Sequence, residues 1–442
     1  MSKMNLEIIE KRLKAKNVSQ YEIFLIERKS YETIFLKNKP DNERELNNAE
    51  YFIRILNQSE DKTGIGIIKG NSMKPRDIDN TIETCLRTSK TNAIPKYTFP
   101  EQKSIPEISM VDKKVLNDPE GIKKDLCEEL LKVVNEQKKV LPTFGRFRIQ
   151  IHNSFLRNSN QLNLKASKTF FFCELSLKAE KSNKLAEYWT SNYFKEREHL
   201  DFERRIKKWA ILAVDNLTAE LPKPNPKTCV IFPPHVLKIA INSVIGFHTL
   251  GFTHFEGISA FNLENKVASD KFSLQDNGLL EGGLNTSPWD GEGNPHQKTE
   301  IINQGIFKNR LYDQKYAMLE NAISTGNGIR DDDGSVTNSI SNFSILPGEI
   351  SKDEMISNID EGYYIEKFSW LNPDPISGFF GAEIRNGYYI QNGEFKNPIK
   401  LGNVSGNVLQ MVNNCVYISK EREFAENTLF PYIAFTNLHI SS

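Results

Sequence analysis

The sequence predicts an α+β protein of two domains, an N-terminal antiparallel meander with helices and a C-terminal curved antiparallel sheet around a central helix. Three observations carry this. Runs of alternating apolar and polar residues, rich in β-branched and aromatic side chains, fill the first half between stretches of helical periodicity. The segment "LPKPNPK" then sets three prolines in seven residues, stiff and unable to continue a helix. Beyond it, turn steps such as "DNG", "NQG", "RNG" and "QNG" recur between short strands and supply the positive φ of tight hairpins. The expected boundaries are 1–220 for the first domain, 221–227 for the linker and 228–442 for the second. At 442 residues the chain is long enough to bury two cores.

In chain order, "MSKMNLEIIEKRLKAKN" has helical spacing and no apolar stretch of the kind a secretory signal needs. "YEIFLIERKSYETIFLKNK" reads as two β runs joined at "RKSY", followed by "EYFIRILNQ" and the glycine-bent "KTGIGIIKGN". "RDIDNTIETCLRTSK" and "NDPEGIKKDLCEELLKVVNEQKK" are amphipathic helices. The strands "FGRFRIQIHNS", "QLNLKASKTFFFCELSLKAE" and "LAEYWTSNYF" come next, and a charged helix near "ERRIKKWAILAVDNLTAE" closes the half. After the linker, "CVIFPPHVLKIAINSVIGF" reads as a buried strand and a buried helix. Its prolines, His235, Lys238 and Asn242 rule out a comfortable bilayer span. "NRLYDQKYAMLENA" is a helix ending at "STGNG".

Fifty-seven basic residues balance 57 acidic ones, so no net field draws the chain to nucleic acid or an anionic membrane. No basic, aromatic-interleaved patch suggests nucleic-acid binding either. Five scattered cysteines without a CxxC pair argue for reduced thiols and a cytoplasmic location, and against a disulfide framework or structural zinc.

The stretch "FHTLGFTHFEG" raises the question of metal. On a regular helix each residue turns about 100°, so His248 and His254, six apart, diverge by roughly 240° and share no ion. A zinc pair on a helix wants spacing four and a glutamate beside the first histidine, where Thr249 stands. Packed or hydrogen-bonded histidines are the reading from spacing. Asp290 and Glu292 in "PWDGEG" sit among turn residues, and "RDDDG" at 330–334 is read as a solvated turn rather than a cation loop.

The blocks "HTLGFTHFEGISAFNLENKVASDKFSLQDNG", "SPWDGEGNPHQKTEIINQGIFKNRLYDQKYAMLENAISTGNG" and "GAEIRNGYYIQNGEFKNPIKLGNVSGNVLQMV" resemble, in order and spacing, the C-terminal domain of the TldD/PmbA family, formerly termed modulator of DNA gyrase and regarded as metallopeptidase-like. In that family TldD-type subunits carry HExxxH and a downstream cysteine ligand, and PmbA (TldE) subunits lack them. Aligned on "FEG", His248 takes the first histidine position, Thr249 the glutamate and Thr253 the second histidine, giving HTxxxT. Cys415 falls a few positions early for the third ligand.

The resemblance therefore implies the PmbA-like branch. No catalytic or metal-binding residue is expected in this chain, and zinc is expected in a TldD-like partner. It implies a hollow dimer, with that catalytic subunit or with a second copy, that encloses unfolded peptides for maturation or degradation. His254, Thr325, Gly326, Asn327 and Gly328 are the expected lining of the peptide cavity. Two alternatives stay open: a diverged zinc peptidase using His248 and His254, and a stand-alone homodimeric peptide-binding protein.

Overall fold

The structure, a computed structural model, describes residues 5–60 and 62–442. The first helix runs Leu6–Ala15, capped by the Asn5 side chain, and the four residues before Asn5 lie outside the described part.

Seven strands form the first sheet in the order β4-β3-β2-β1-β5-β6-β7. They are β1 (Tyr21–Leu36), β2 (Lys39–Gln58), β3 (Lys62–Gly70), β4 (Ala93–Pro95), β5 (Val140–Asn158), β6 (Asn163–Lys181) and β7 (Lys184–Phe194). The expected break at "RKSY" is absent, and β1 continues through it while pairing residue by residue with β5. Lys29, Ser30 and Tyr31 offer no residue that prefers positive φ, so nothing there turns the chain. Real turns fall where such residues stand, as at Ser182 and Asn183, with φ of 48° and 65° between β6 and β7. Helices Pro119–Glu136 and Phe202–Asp215 press Leu130, Val134, Ile206 and Trp209 onto Phe147, Phe171 and Leu175 of the sheet.

The second sheet has 11 strands. Its members are β8 (Asn225–Phe232), β9 (Leu274–Asn277), β10 (Lys298–Asn303), β11 (Ile306–Phe307), β14 (Phe343–Ile345), β15 (Glu361–Phe368), β16 (Phe379–Gln391), β17 (Glu394–Ile399), β18 (Asn403–Asn407), β19 (Cys415–Ala425) and β20 (Thr428–Ser441). A separate pair joins β12 (Gly328–Arg330) to β13 (Val336–Asn338). Because β8 pairs with both β15 and β20, strands β20, β18, β16, β15 and β8 close into a ring. Two pairings are parallel, β14 with β20 and β15 with β8, so the sheet is mixed within a largely antiparallel frame.

The buried helix predicted after Pro233 starts at Pro234, which suits a first helical position because its missing N–H would go unused. Val236, Leu237, Ile241, Val244 and Ile245 enter the core of this domain with Phe232, Phe343 and Phe435. The helix is less regular than the spacing argument assumed. It widens to a π-turn over Ile241–Gly246, resumes over Phe247–Thr249, breaks at Leu250 and restarts as Gly251–Phe255. The other predicted helix shrinks to Gln314–Leu319. No helix of the described residues is long and apolar enough to cross a membrane, and all five cysteines are free thiols.

Candidate functional site

The break at Leu250 is built by its neighbours. Leu250 is extended, with φ −79° and ψ 143°. Gly251 N–H donates to the Leu311 carbonyl at 2.8 Å, and Leu311 N–H donates to the Thr249 carbonyl at 2.9 Å. A Cβ on Gly251 would come within 2.3 Å of the Tyr312 ring, so only glycine permits this approach. The HTxxxT positions therefore lie across a chain break and not on one helical face.

His248 is fully buried between the rings of Phe247 and Phe261, with centroids 5.3 and 5.4 Å away. Its Nδ1 accepts the Ala260 amide at 3.0 Å, which leaves Nε2 to donate to the Ile376 carbonyl at 3.1 Å. Burial pushes its pKa down, so the ring is neutral, with one lone pair and one proton, both already engaged. Thr249 Oγ1 donates to the Gly246 carbonyl at 2.7 Å, and Thr253 Oγ1 to the Phe247 carbonyl at 2.7 Å. Both hydroxyls satisfy carbonyls that the irregular helix leaves open. His254 faces another way and is half-exposed, with Nδ1 2.7 Å from Glu320 Oε1, while Tyr312 donates to the other Glu320 oxygen at 2.6 Å. Cys415 opens β19 as a buried thiol that desolvation lifts to about 12, far from the thiolate a metal needs. These donors do not fit zinc. Among the described residues no three His, Cys, Asp or Glu side chains are grouped to hold an ion.

The glycine-rich turn gathers differently. Gly326, Asn327 and Gly328 line a cleft of about 170 Å³ together with Lys168, Asp290 and His296, whereas Thr325 and His254 lie outside it. Gly326 has φ +74°, and a Cβ there would sit 2.4 Å from the Pro295 carbonyl. Asn327 donates to Asp276 Oδ2 at 2.8 Å and to the Ser339 carbonyl at 3.1 Å. Thr325 Oγ1 accepts the Tyr312 amide at 2.7 Å and bonds the Asn327 amide oxygen at 2.6 Å.

Asp290 is the organiser of the adjoining turn. Its Oδ1 accepts the amides of Glu292, Gly293 and Asn294, each at 2.9 Å, and its Oδ2 accepts Gly328 N–H at 2.9 Å. With three amides on one oxygen and one on the other, the carboxyl is fixed as the centre of a tight turn. In "RDDDG" the exposed Asp333 caps Ser335, and Gly334 N–H closes the turn onto Asp331.

What spacing could not reveal is the link between the two sheets. Glu292 Oε1 accepts the Tyr97 hydroxyl at 2.7 Å and lies 3.9 Å from Arg54. Arg54 also contacts Glu22 at 3.4 Å, and Arg330 reaches the same Glu22 at 2.6 Å. Glu22, Arg54 and Glu292 are nearly solvent-free, and the only local clue was one arginine inside the apolar run "YFIRIL". Burial, with Asp290 nearby, raises Glu292 to about 7, and burial with Glu292 raises Asp313 to about 7. Burial lifts Asp290 to about 6 against its four amide donors.

The family profile of the PmbA/TldA metallopeptidase C-terminal domain matches residues 225–442. An uncharacterised protein of Methanocaldococcus jannaschii is 24% identical over 351 residues, covering 76% of this chain and 78% of that protein. The metalloprotease TldD homolog of Buchnera aphidicola is 29% identical over 191 residues, covering 42% of this chain and 40% of its own length. The chain thus spans less than half of that metalloprotease relative. The crystal structure of TldE from Thermococcus kodakarensis shares the fold, with a TM-score of 0.88, 20% identity and 99% of each chain covered.

Proposed function

We propose that this chain, which belongs to the PmbA/TldD family by its C-terminal half, is the non-catalytic, TldE-like subunit of a two-chain metallopeptidase that processes unfolded peptides. The observation that carries this reading is the state of His248, whose Nδ1 lone pair is taken by Ala260 and whose Nε2 proton is given to Ile376. Zinc hydrolysis needs imidazole or thiolate donors and a carboxylate to take the proton of the activated water. At the aligned positions this chain offers two threonines whose hydroxyls serve the backbone. The diverged-peptidase alternative would need His248 and His254 to converge, and one is sealed in the core while the other binds Glu320 at the surface.

In this reading the catalytic ion belongs to a TldD-like partner, and this subunit completes the chamber and helps hold the peptide. On the same reading the cleft lined by Gly326, Asn327 and Gly328 opens toward that chamber. The test is cleavage of an unfolded peptide by the purified chain, by a TldD-like subunit, and by the two together. Activity that appears or rises only in the mixture supports the reading. Strong zinc-dependent cleavage by this chain alone overturns it.

A further inference from the structure

The first sheet ends in β7, and among the described residues no strand pairs with its outer edge. Lys367 Nζ donates to the Trp189 carbonyl, so that carbonyl points away from β6. The period-two alternation of an antiparallel ladder then turns the N–H and C=O of Glu187, Ser191 and Tyr193 outward as well.

Two successive clefts front this edge. One of about 440 Å³ lies between Leu185–Glu187 and Glu383–Arg385, and the next, about 340 Å³, between Tyr188–Asn192 and Lys367–Leu371. Trp189 and Trp370, 47% and 77% exposed, stand beside the second. Eleven residues of β7 at about 3.3 Å each give an edge of roughly 36 Å, the length of an extended peptide of similar size.

The two clefts carry an excess of positive charge, with Lys178, Lys238, Lys367, Arg385 and Lys400 against Glu187, Glu383 and Glu426, the last paired with Lys238. Lys184, Lys367, Arg385 and Lys400 have no carboxylate within 4.0 Å among the described residues. Lys400 instead donates to the Asn216 carbonyl at 2.6 Å. Burial and then Arg385 lower the pKa of both Lys367, to about 8, and Lys400, the direction expected of cations that repel one another. The carboxylates lining the first cleft, Glu187 and Glu383, are engaged by the hydroxyls of Ser176 and Ser369.

We propose that β7 is a docking edge for extended, acidic segments of the substrate polypeptide, which names a substrate class for the peptide-handling function proposed above and rests on that reading. A docked segment adds as a further strand. One of its amides takes the Trp189 carbonyl from Lys367, and the freed ammonium, with Arg385 and Lys400, meets its carboxylates. Backbone pairing gives affinity without sequence demand, the cations select acidic side chains, and the tryptophans contact those between. Lysines beside a sheet edge can also serve only to repel other strands, and then no peptide binds.

The test is fluorescence anisotropy with the purified full chain and three fluorescein-labelled peptides of equal length. One alternates Glu with Val, one alternates Lys with Val, and one is the Glu peptide interrupted by prolines that remove its strand donors. The acidic extended peptide is expected to bind at least about tenfold more tightly than either control. Arg385→Glu with Lys400→Glu is expected to weaken it by a similar factor at unchanged melting temperature, and the exposed single substitution Arg385→Gln serves if the pair does not fold. Equal affinity for all three, no binding of the acidic peptide, or undiminished binding by the variants overturns the proposal. No catalytic partner is involved, so failure here and failure of partner-dependent cleavage are separate results.

Discussion

The imidazole of His248 and the amide of Ala260 are 3.0 Å apart, with the ring nitrogen accepting. This one bond turns the aligned metal-ligand position into a structural brace that ties the broken helix to the loop at 259–261. Ser259 reinforces it by donating its hydroxyl to the His248 carbonyl at 2.7 Å.

Replacing that brace is expected to cost stability and nothing else in this subunit. His248→Ala empties a fully buried ring site and leaves the Ala260 amide and Ile376 carbonyl unpaired, a loss of about 2–4 kcal/mol. Urea unfolding monitored by tryptophan fluorescence measures it, and a loss below about 0.5 kcal/mol would contradict the role.

The buried link between the sheets gives a second expectation. Arg54→Met strips the charge that faces both Glu22 and Glu292, and breaking a buried pair from one side costs about 3–5 kcal/mol. Denaturant unfolding should show the loss, with the midpoint moved well below that of the parent. A midpoint unchanged within error would mean that this arginine holds nothing together.

Acid–base behaviour follows from the cluster at Glu292. With Asp290 held at about 6 and Glu292 and Asp313 at about 7, the folded state binds protons that the unfolded chain has released. Their contribution to stability is therefore full only below the ordinary carboxylate range, about 4, and is lost as pH rises from there through about 6 to 7. Glu10 works in the opposite sense. Against burial, hydrogen bonds from Lys14, Arg157 and Tyr21 hold it at about 2, so its contribution is present above its ordinary value and is lost as pH falls toward 2. Asp313→Asn keeps a capping side chain while removing one raised carboxyl. It should flatten the fall in melting temperature between about pH 4 and 7, and an unaltered slope would count against the cluster.

Gly326→Ala tests the turn at the cleft. It combines a positive φ with a contact of 2.4 Å to the Pro295 carbonyl, so a destabilisation of about 1–3 kcal/mol is expected. Calorimetry reads it, and a neutral outcome would show that the turn relaxes freely.

How far the sequence disclosed this structure depends on the range of each signal. The helices at 75–88, 119–136 and 202–215, the buried helix after Pro233 and the apolar parts of the long strands were legible because their periodicity is local, whereas the continuity of β1 through "RKSY" and the exposed, polar stretch 39–48 of β2 were not. The π-turn at 241–246 and the break at Leu250 were not, and the break is held by Leu311 and Tyr312, some sixty residues away. The same distance hid the inter-sheet cluster: nothing near Glu292 announces Tyr97 or Arg54. The divergence of His248 and His254 was inferred from a regular helix, whereas the actual cause is the broken one. Asp290 was assigned to a turn by its flanking glycines and proline, and its four amide contacts are those of a turn.

The most direct test of the central claim is zinc content. The purified chain is dialysed against zinc, desalted and measured for metal per chain beside the His248→Ala variant. Far less than one zinc per chain, with no difference between the two, is expected. One tightly held zinc per chain, lost in the variant together with peptide cleavage, would contradict it.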